Sequence, residues 1–300
     1  MSSGYDHGSS ASVRYTKPLA IAFGLVASFA IVEFIAGISS GSLALTADAG
    51  HMATDAIGLG MALAAAVVSK RVKPSSTQTY GLYRVEILAA LANAVLLAGV
   101  ATYVIVVAII RLREPVEVQT ALMLVVAVGG LLVNLVSFRL LRQGADESLN
   151  VEGAFLEVLG DLLASVGVIV AGAVILITGW YVVDAIVGIA IGLFILPRAL
   201  SLGRRAIRIL MEVAPEGIDV ESMREKLLAL PDVVEVHDLH VWTLTSEMHT
   251  ATAHLVISDG VDGHPTLDAA RAALSTEFGI DHATLQIEPE SHTGCHEVAW

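Results

Sequence analysis

The sequence predicts an α-helical membrane protein: six transmembrane helices followed by a C-terminal cytoplasmic α+β domain of ferredoxin-like type. Two observations carry that prediction. The 300 residues are 55% hydrophobic and only 16% charged, against roughly 45–50% and about 25% in soluble domains, and the long apolar stretches stop near Arg208. Charge divides at the same place. Residues 209–300 carry 17 acids against 3 Lys and Arg, a balance of −14, which leaves +1 of the total −13 for residues 1–208. The expected parts are a flexible cytoplasmic N-terminus (1–16), a membrane domain (17–208), a cytoplasmic ferredoxin-like domain (209–290) and a short tail (291–300).

A span needs about 20 mostly apolar residues. Six segments qualify: Pro18–Ile38, Leu43–Val68, Val85–Ile110, Thr120–Leu141, Val151–Ile177 and Trp180–Leu202. The links after the first and fifth are very short, which predicts helical hairpins there. Polar Met1–Ser12, followed by an apolar run too long for a signal-peptide core, reads as a start that is not cleaved. Lys and Arg mark the cytoplasmic side. Arg14 and Lys17 precede span one; Lys70, Arg71, Lys73 and Arg84 lie between spans two and three; Arg139 and Arg142 follow span four; Arg198, Arg204, Arg205 and Arg208 follow span six. The opposite side has only Arg111 and Arg113, so both termini are expected in the cytoplasm.

In the acidic part, Asp219–Leu230 has a helical pattern with Asp219 as N-cap. Val233–Leu244 and His249–Ile257 are rich in β-formers and joined by a hairpin signal at Thr245–Met248. Pro265–Phe278 reads as a second helix with Pro in its first turn and Gly279 at its end. Thr284–Glu288 is a third strand. The order αββαβ can bury one sheet face under two helices. An acidic domain argues against nucleic acid and suits a cation. The one cysteine, Cys295, excludes an internal disulfide.

Ionisable residues inside spans cost at least about 2.5–3.5 kcal/mol each on insertion scales, so each needs a reason. Span two holds Asp48, His51 and Asp55; span five holds Glu157 and Asp161. His51 and Asp55 stand four apart, as do Glu157 and Asp161, which puts each pair on one helical face. Brought together, the two faces offer one imidazole and three carboxylates, a four-ligand set for a divalent cation. Neither span carries a Lys or Arg within it to neutralise these groups. Asp48, near the outer end of its span, reads as solvated and is only an additional candidate. Glu33, Asn93 and Asn134 read as interhelical hydrogen-bonding groups, Glu86 beside Arg84 as a boundary residue, and Asp184 as a helix cap.

These residues fall in recognisable runs. Gly41-Ser-Leu-Ala-Leu-Thr-Ala-Asp-Ala-Gly-His-Met-Ala-Thr-Asp55, Tyr80-Gly-Leu-Tyr-Arg-Val-Glu-Ile-Leu88, Gly153-Ala-Phe-Leu-Glu-Val-Leu-Gly-Asp161 and Val236-His-Asp-Leu-His-Val-Trp-Thr-Leu244 resemble, in order, the signatures of the cation diffusion facilitator family. The resemblance covers about Lys17 to Glu290. It implies a six-helix homodimer that exchanges divalent transition-metal ions for protons, with His51, Asp55, Glu157 and Asp161 as the transport site. It implies zinc as cargo. One departure shifts weight toward manganese, iron, cobalt and cadmium: zinc members usually carry a histidine where Glu157 stands, and three carboxylates with one imidazole make a harder site. No histidine-rich loop lies between spans four and five.

Eight of the ten histidines lie in the C-terminal part, and imidazole is the commonest metal ligand. The resemblance implies a regulatory metal at His237, His254, His282 and Glu288. Gln286 stands where some relatives have a further histidine. His240 and the Cys295–His296 pair are additional candidate ligands, although a free terminal thiol reads equally well for Cys295. Metal, protons, the lipid bilayer and a second copy are the expected partners, with no organic cofactor. An enzyme would need a metal with an open position and a general base, and no HExxH occurs. A passive channel would need several weak sites in file, whereas the ligands here cluster at one level.

Overall fold

The computed structural model describes residues 14–40, 43–71, 76, 78–113, 120–180, 182–246 and 248–292, some helical positions by backbone alone. The chain divides into two compact units, Met1–Ile207 and Arg208–Trp300. The first is helical: α1 (Thr16–Ser40), α2 (Leu43–Arg71), α3 (Arg84–Arg113), α4 (Thr120–Ala145), α5 (Leu149–Thr178) and α6 (Val182–Leu210, whose last turn belongs to the second unit). Among the described residues, stretches of α3, α4, α5 and α6 are long and apolar enough to cross a membrane, while α1 and α2 offer shorter apolar stretches, Thr16–Val32 and Asp55–Val68.

Helix α1 packs along α2, and α4 along α5. Their shared core is Leu19, Ala22 and Val26 of α1, Leu59, Ala62 and Ala66 of α2, Leu141 of α4 and Val151, Ala154 and Val158 of α5. Small residues set the approach of α5 to α6: a Cβ at Gly160 would lie 2.7 Å from Ile195 Cδ1. One at Gly192 of α6 would strike Ile105 of α3. Such close backbone packing replaces the missing hydrophobic drive between helices in lipid.

Two sequence expectations change in this unit. Helix α4 continues to Ala145, so its link to α5 shrinks to Asp146–Ser148. Ser148 caps α5, its hydroxyl accepting from Val151 N at 3.3 Å. Glu86 is more than a boundary residue: in the first turn of α3 it is fully buried and accepts from Ser148 Oγ at 2.6 Å. The reason is the tight turn, which seats the α5 N-terminus against the start of α3, where the helix dipole favours a carboxylate.

The second unit is α7 (Val220–Leu228), β1 (Val233–Thr245), β2 (Met248–Ile257), α8 (Gly263–Phe278) and β3 (His282–Pro289). The expected αββαβ order is present. Asp219 caps α7 through Glu221 N and Ser222 N, and Gly279 ends α8 with φ 66°, a left-handed turn that glycine adopts without strain. The α8 start moves back to Gly263 because Asp262 provides the cap. The sheet order is β1-β2-β3, antiparallel then parallel. One face packs Ala251, Ala253, Leu255, Leu285 and Ile287 against Met223 and Leu227 of α7 and Ala270 and Leu274 of α8.

Candidate metal sites in the bundle and in the sheet

In the bundle, Asp55 is 5% exposed, Glu157 3% and Asp161 9%. Asp55 comes from α2; the other two come from successive turns of α5. Asp55 and Asp161 both lie close to Glu157. Neither helix supplies a cation at that level: α5 contains no Lys or Arg, and α2 has none before Lys70. Burying three carboxylates together is costly unless a cation or protons join them. Three of the four expected ligands therefore gather. His51 stands one turn before Asp55 on α2; its side chain, like those of Asp48, Glu33 and Asp184, lies outside the described residues.

The sequence did not single out two features that hold this cluster. The carboxyl of Glu157 rests on the backbone of α2 at Gly58, where a Cβ would lie 2.6 Å from Glu157 Cδ. Two turns away, Asn150 Nδ2 donates to Ala62 O at 2.7 Å, a buried tie between α5 and α2. That tie is the interhelical hydrogen bond expected of Asn93 and Asn134. Both of those are buried, but neither amide atom of Asn93 makes a hydrogen bond, nor does Asn134 Oδ1. Asn93 instead faces Glu157. A DxxG spacing, Gly58 three residues after Asp55, is the sequence signal that could have pointed to the Glu157 seat.

In the sheet, His237, His254 and Glu288 each offer one ligand atom, all within 4.8 Å of one another. His254 Nδ1 lies 2.7 Å and His237 Nε2 3.4 Å from the Glu288 oxygens. The two rings meet edge to face at 4.9 Å, and Gln286 Nε2 donates to Glu288 Oε1 at 2.7 Å. His237 and Glu288 are buried, and His237 Nδ1 has no hydrogen-bond partner. Two imidazoles and a carboxylate suit zinc or a similar cation. A β-bulge makes the cluster possible. Strict alternation would put His237 and Leu239 on one face. The register slips by one residue between His237 and His240, with Asp238 at φ 48°, so Leu239 joins the core while His237 meets His254 across the strands. Aspartate tolerates that conformation better than most residues.

The other expected ligands are not in this cluster. His282 pairs with Thr250 at the opposite end of β3, six residues from Glu288, about 20 Å at 3.3 Å per strand residue. His240 is exposed and pairs with Thr252. Cys295 and His296 lie outside the described residues. His249, half-buried at the start of β2, has its Nδ1 3.1 Å from Thr243 Oγ1, and burial lowers its pKa from the ordinary 6.5.

A helical membrane protein built around a buried carboxylate cluster, with a separate α+β domain, is the class that these two units define. Residues 19–211 match the model for the cation efflux transmembrane domain, and residues 215–290 the model for the cation efflux protein cytoplasmic domain. The chain belongs to the cation efflux, or cation diffusion facilitator, family. It is 43% identical to the metal cation efflux system protein CzcD of Cupriavidus metallidurans, over 91% of this chain and 86% of that one. Identity is 40% to the zinc transporter ZitB of Escherichia coli, over 93% and 90%. A cadmium, cobalt and zinc/H(+)-K(+) antiporter of Bacillus subtilis is 35% identical, over 96% and 93%.

Proposed function

We propose that the chain exports a divalent transition-metal ion, zinc foremost, from the cytoplasm in exchange for protons, as a carrier rather than an enzyme. The observation that carries this reading is the gathering of Asp55, Glu157 and Asp161 in a bundle interior whose two helices supply no Lys or Arg at that level. His51, four residues before Asp55 in sequence, is the expected fourth ligand. Ligands must be deprotonated to bind metal. Metal and protons thus compete for the same atoms, and the empty carrier returns with protons. The names of the relatives support divalent-metal efflux with zinc among the cargoes, and one relative is called a proton antiporter. The surplus of Lys and Arg around Arg14, Lys70, Arg142 and Arg204 supports a cytoplasmic location for both termini, and the dimer expected from the sequence would join two such units.

The test is zinc flux in proteoliposomes with an imposed pH difference, inside-acidic against symmetric. Wild-type chain is expected to accumulate zinc when protons run the other way, and Asp55→Ala or Asp161→Ala to lose transport while remaining folded in detergent. Flux indifferent to the gradient removes the antiport. Near-wild-type flux in both variants removes the site. Parallel runs with manganese, cobalt and cadmium rank the cargo.

A further inference from the structure

We infer that Asn93 of α3 is a positioning residue of the transport site: its amide stands ready to donate to the Glu157 carboxylate once that group binds a cation, and thereby sets how tightly, and for which cation, the site closes. The inference rests on the reading of Asp55, Glu157 and Asp161 as cation ligands and adds a third helix to them.

Asn93 is 3% exposed, yet neither Nδ2 nor Oδ1 makes a hydrogen bond among the described residues. A buried amide left in that condition is destabilising, so packing alone would favour an apolar residue of similar shape. The charged group that Asn93 addresses is the carboxylate of Glu157. Its place is prepared from the other side by Gly153, one turn before Glu157 on α5. A Cβ there would lie 2.9 Å from Asn93 Nδ2 and 3.5 Å from Asn93 Cβ. Glu157 thus rests on Gly58 of α2 and stands one turn after the Asn93–Gly153 contact of α3 with α5, toward which a side chain at 157 leans.

The amide is the right chemistry for this position. A carboxylate that gives one oxygen to a cation has a second oxygen that needs a donor, and groups that orient a ligand in this way change affinity by about 10–100-fold. A Lys or Arg in the same place would donate equally well but would repel the cargo. An amide donates without charge. With Glu157 held, the separation of the ligand oxygens is fixed, and a fixed separation discriminates between ions of different size and preferred geometry. With Glu157 released, the carboxylate can follow any cation, and discrimination falls.

The experiment is transport by full-length Asn93→Ala and Asn93→Leu in proteoliposomes, with zinc, cadmium and manganese each titrated. Leucine has the branching and heavy-atom count of asparagine and is somewhat larger, so it leaves no cavity if the alanine variant does not fold. The expected result is a rise of roughly tenfold or more in the half-saturating zinc concentration, a maximal rate within about threefold of wild type, and a narrower spread between zinc and manganese. A purely structural Asn93 would lower the amount of folded protein and the maximal rate, leaving half-saturation and the order of metals unchanged; that result overturns the inference. Asp55→Ala is run alongside. If it is inactive while both Asn93 variants keep wild-type half-saturation and ranking, the role of Asn93 falls and the site stands. If Asp55→Ala transports normally, site and positioning residue fall together.

Discussion

Gly58 separates what holds the helix from what holds the ligand. Alanine is a better helix former than glycine by about 1 kcal/mol, so Gly58→Ala should leave α2 as stable as before or more so. The added methyl, however, occupies the seat of the Glu157 carboxyl, and the flexible end of that side chain is what gives way. Thermal midpoint in detergent should be unchanged or raised, while half-saturating zinc rises about tenfold if orienting a ligand has its usual worth. A variant with wild-type half-saturation would show that Glu157 is not needed in that position. His249 gives a second prediction at the same scale. Its folded pKa lies below the ordinary 6.5 because burial disfavours the charged ring. The unfolded chain therefore takes up the proton first as pH falls. The stability that neutral His249 contributes is complete above about pH 6.5 and is lost on descending from 6.5 through the folded value. The thermal midpoint of the acidic domain should fall more between pH 7.5 and 5.5 in the wild type than in His249→Gln. Equal slopes would refute the assignment.

At the scale of elements, Ser148 joins two tasks that the sequence does not reveal together. Its hydroxyl accepts from Val151 N at the start of α5 and donates to buried Glu86 of α3. Ser148→Ala removes a cap worth about 1 kcal/mol and one partner of a buried carboxylate, a further loss of about 1–3 kcal/mol. Thermal unfolding in detergent should show a clear drop, larger than for Ser28→Ala, whose hydroxyl bonds only its own helix at an exposed position. Comparable midpoints for the two variants would mean that the α3–α5 junction is not held there. The contrast explains what is legible in the chain. Apolar length, Asp219 before α7 and Gly279 after α8 act within a few residues, so they can be read directly. The burial of Glu86 is not legible because its partner lies 62 positions on. That the sheet cluster closes without His282 is not legible for a related reason. Strand identity is local, but which strand positions meet depends on the parallel register of β3, and nothing in the sequence announces the bulge at Asp238. Four acids and histidines could be drawn from the spacing of the two spans, whereas the glycine seat and the Asn150 tie exist only after α2 and α5 have packed.

For the whole molecule, the two units differ in what a cation would do to them. The bundle must release its cargo, whereas the acidic domain carries a balance of −14 that concentrates cations without spanning a membrane. Its His237–His254–Glu288 group is compact within a single copy of the chain, with a buried imidazole nitrogen lacking a hydrogen-bond partner. Metal bound there would hold β1, β2 and β3 together through three side chains, so binding and folding should be linked. A fragment spanning residues 211–300 has its own core. It should bind zinc by calorimetry and gain about 2.7 kcal/mol of stability when free zinc reaches 100 times the dissociation constant. His254→Ala should abolish both effects. His282→Ala should leave them unchanged in the monomeric fragment, since that residue stands at the other end of β3. Sedimentation with and without zinc reads association of two copies independently. If zinc pairs two fragments and His282→Ala weakens the pairing alone, His282 acts across the dimer rather than at the cluster. If the fragment binds no zinc, the acidic domain holds no metal and the cluster is a packed pair of imidazoles on a carboxylate.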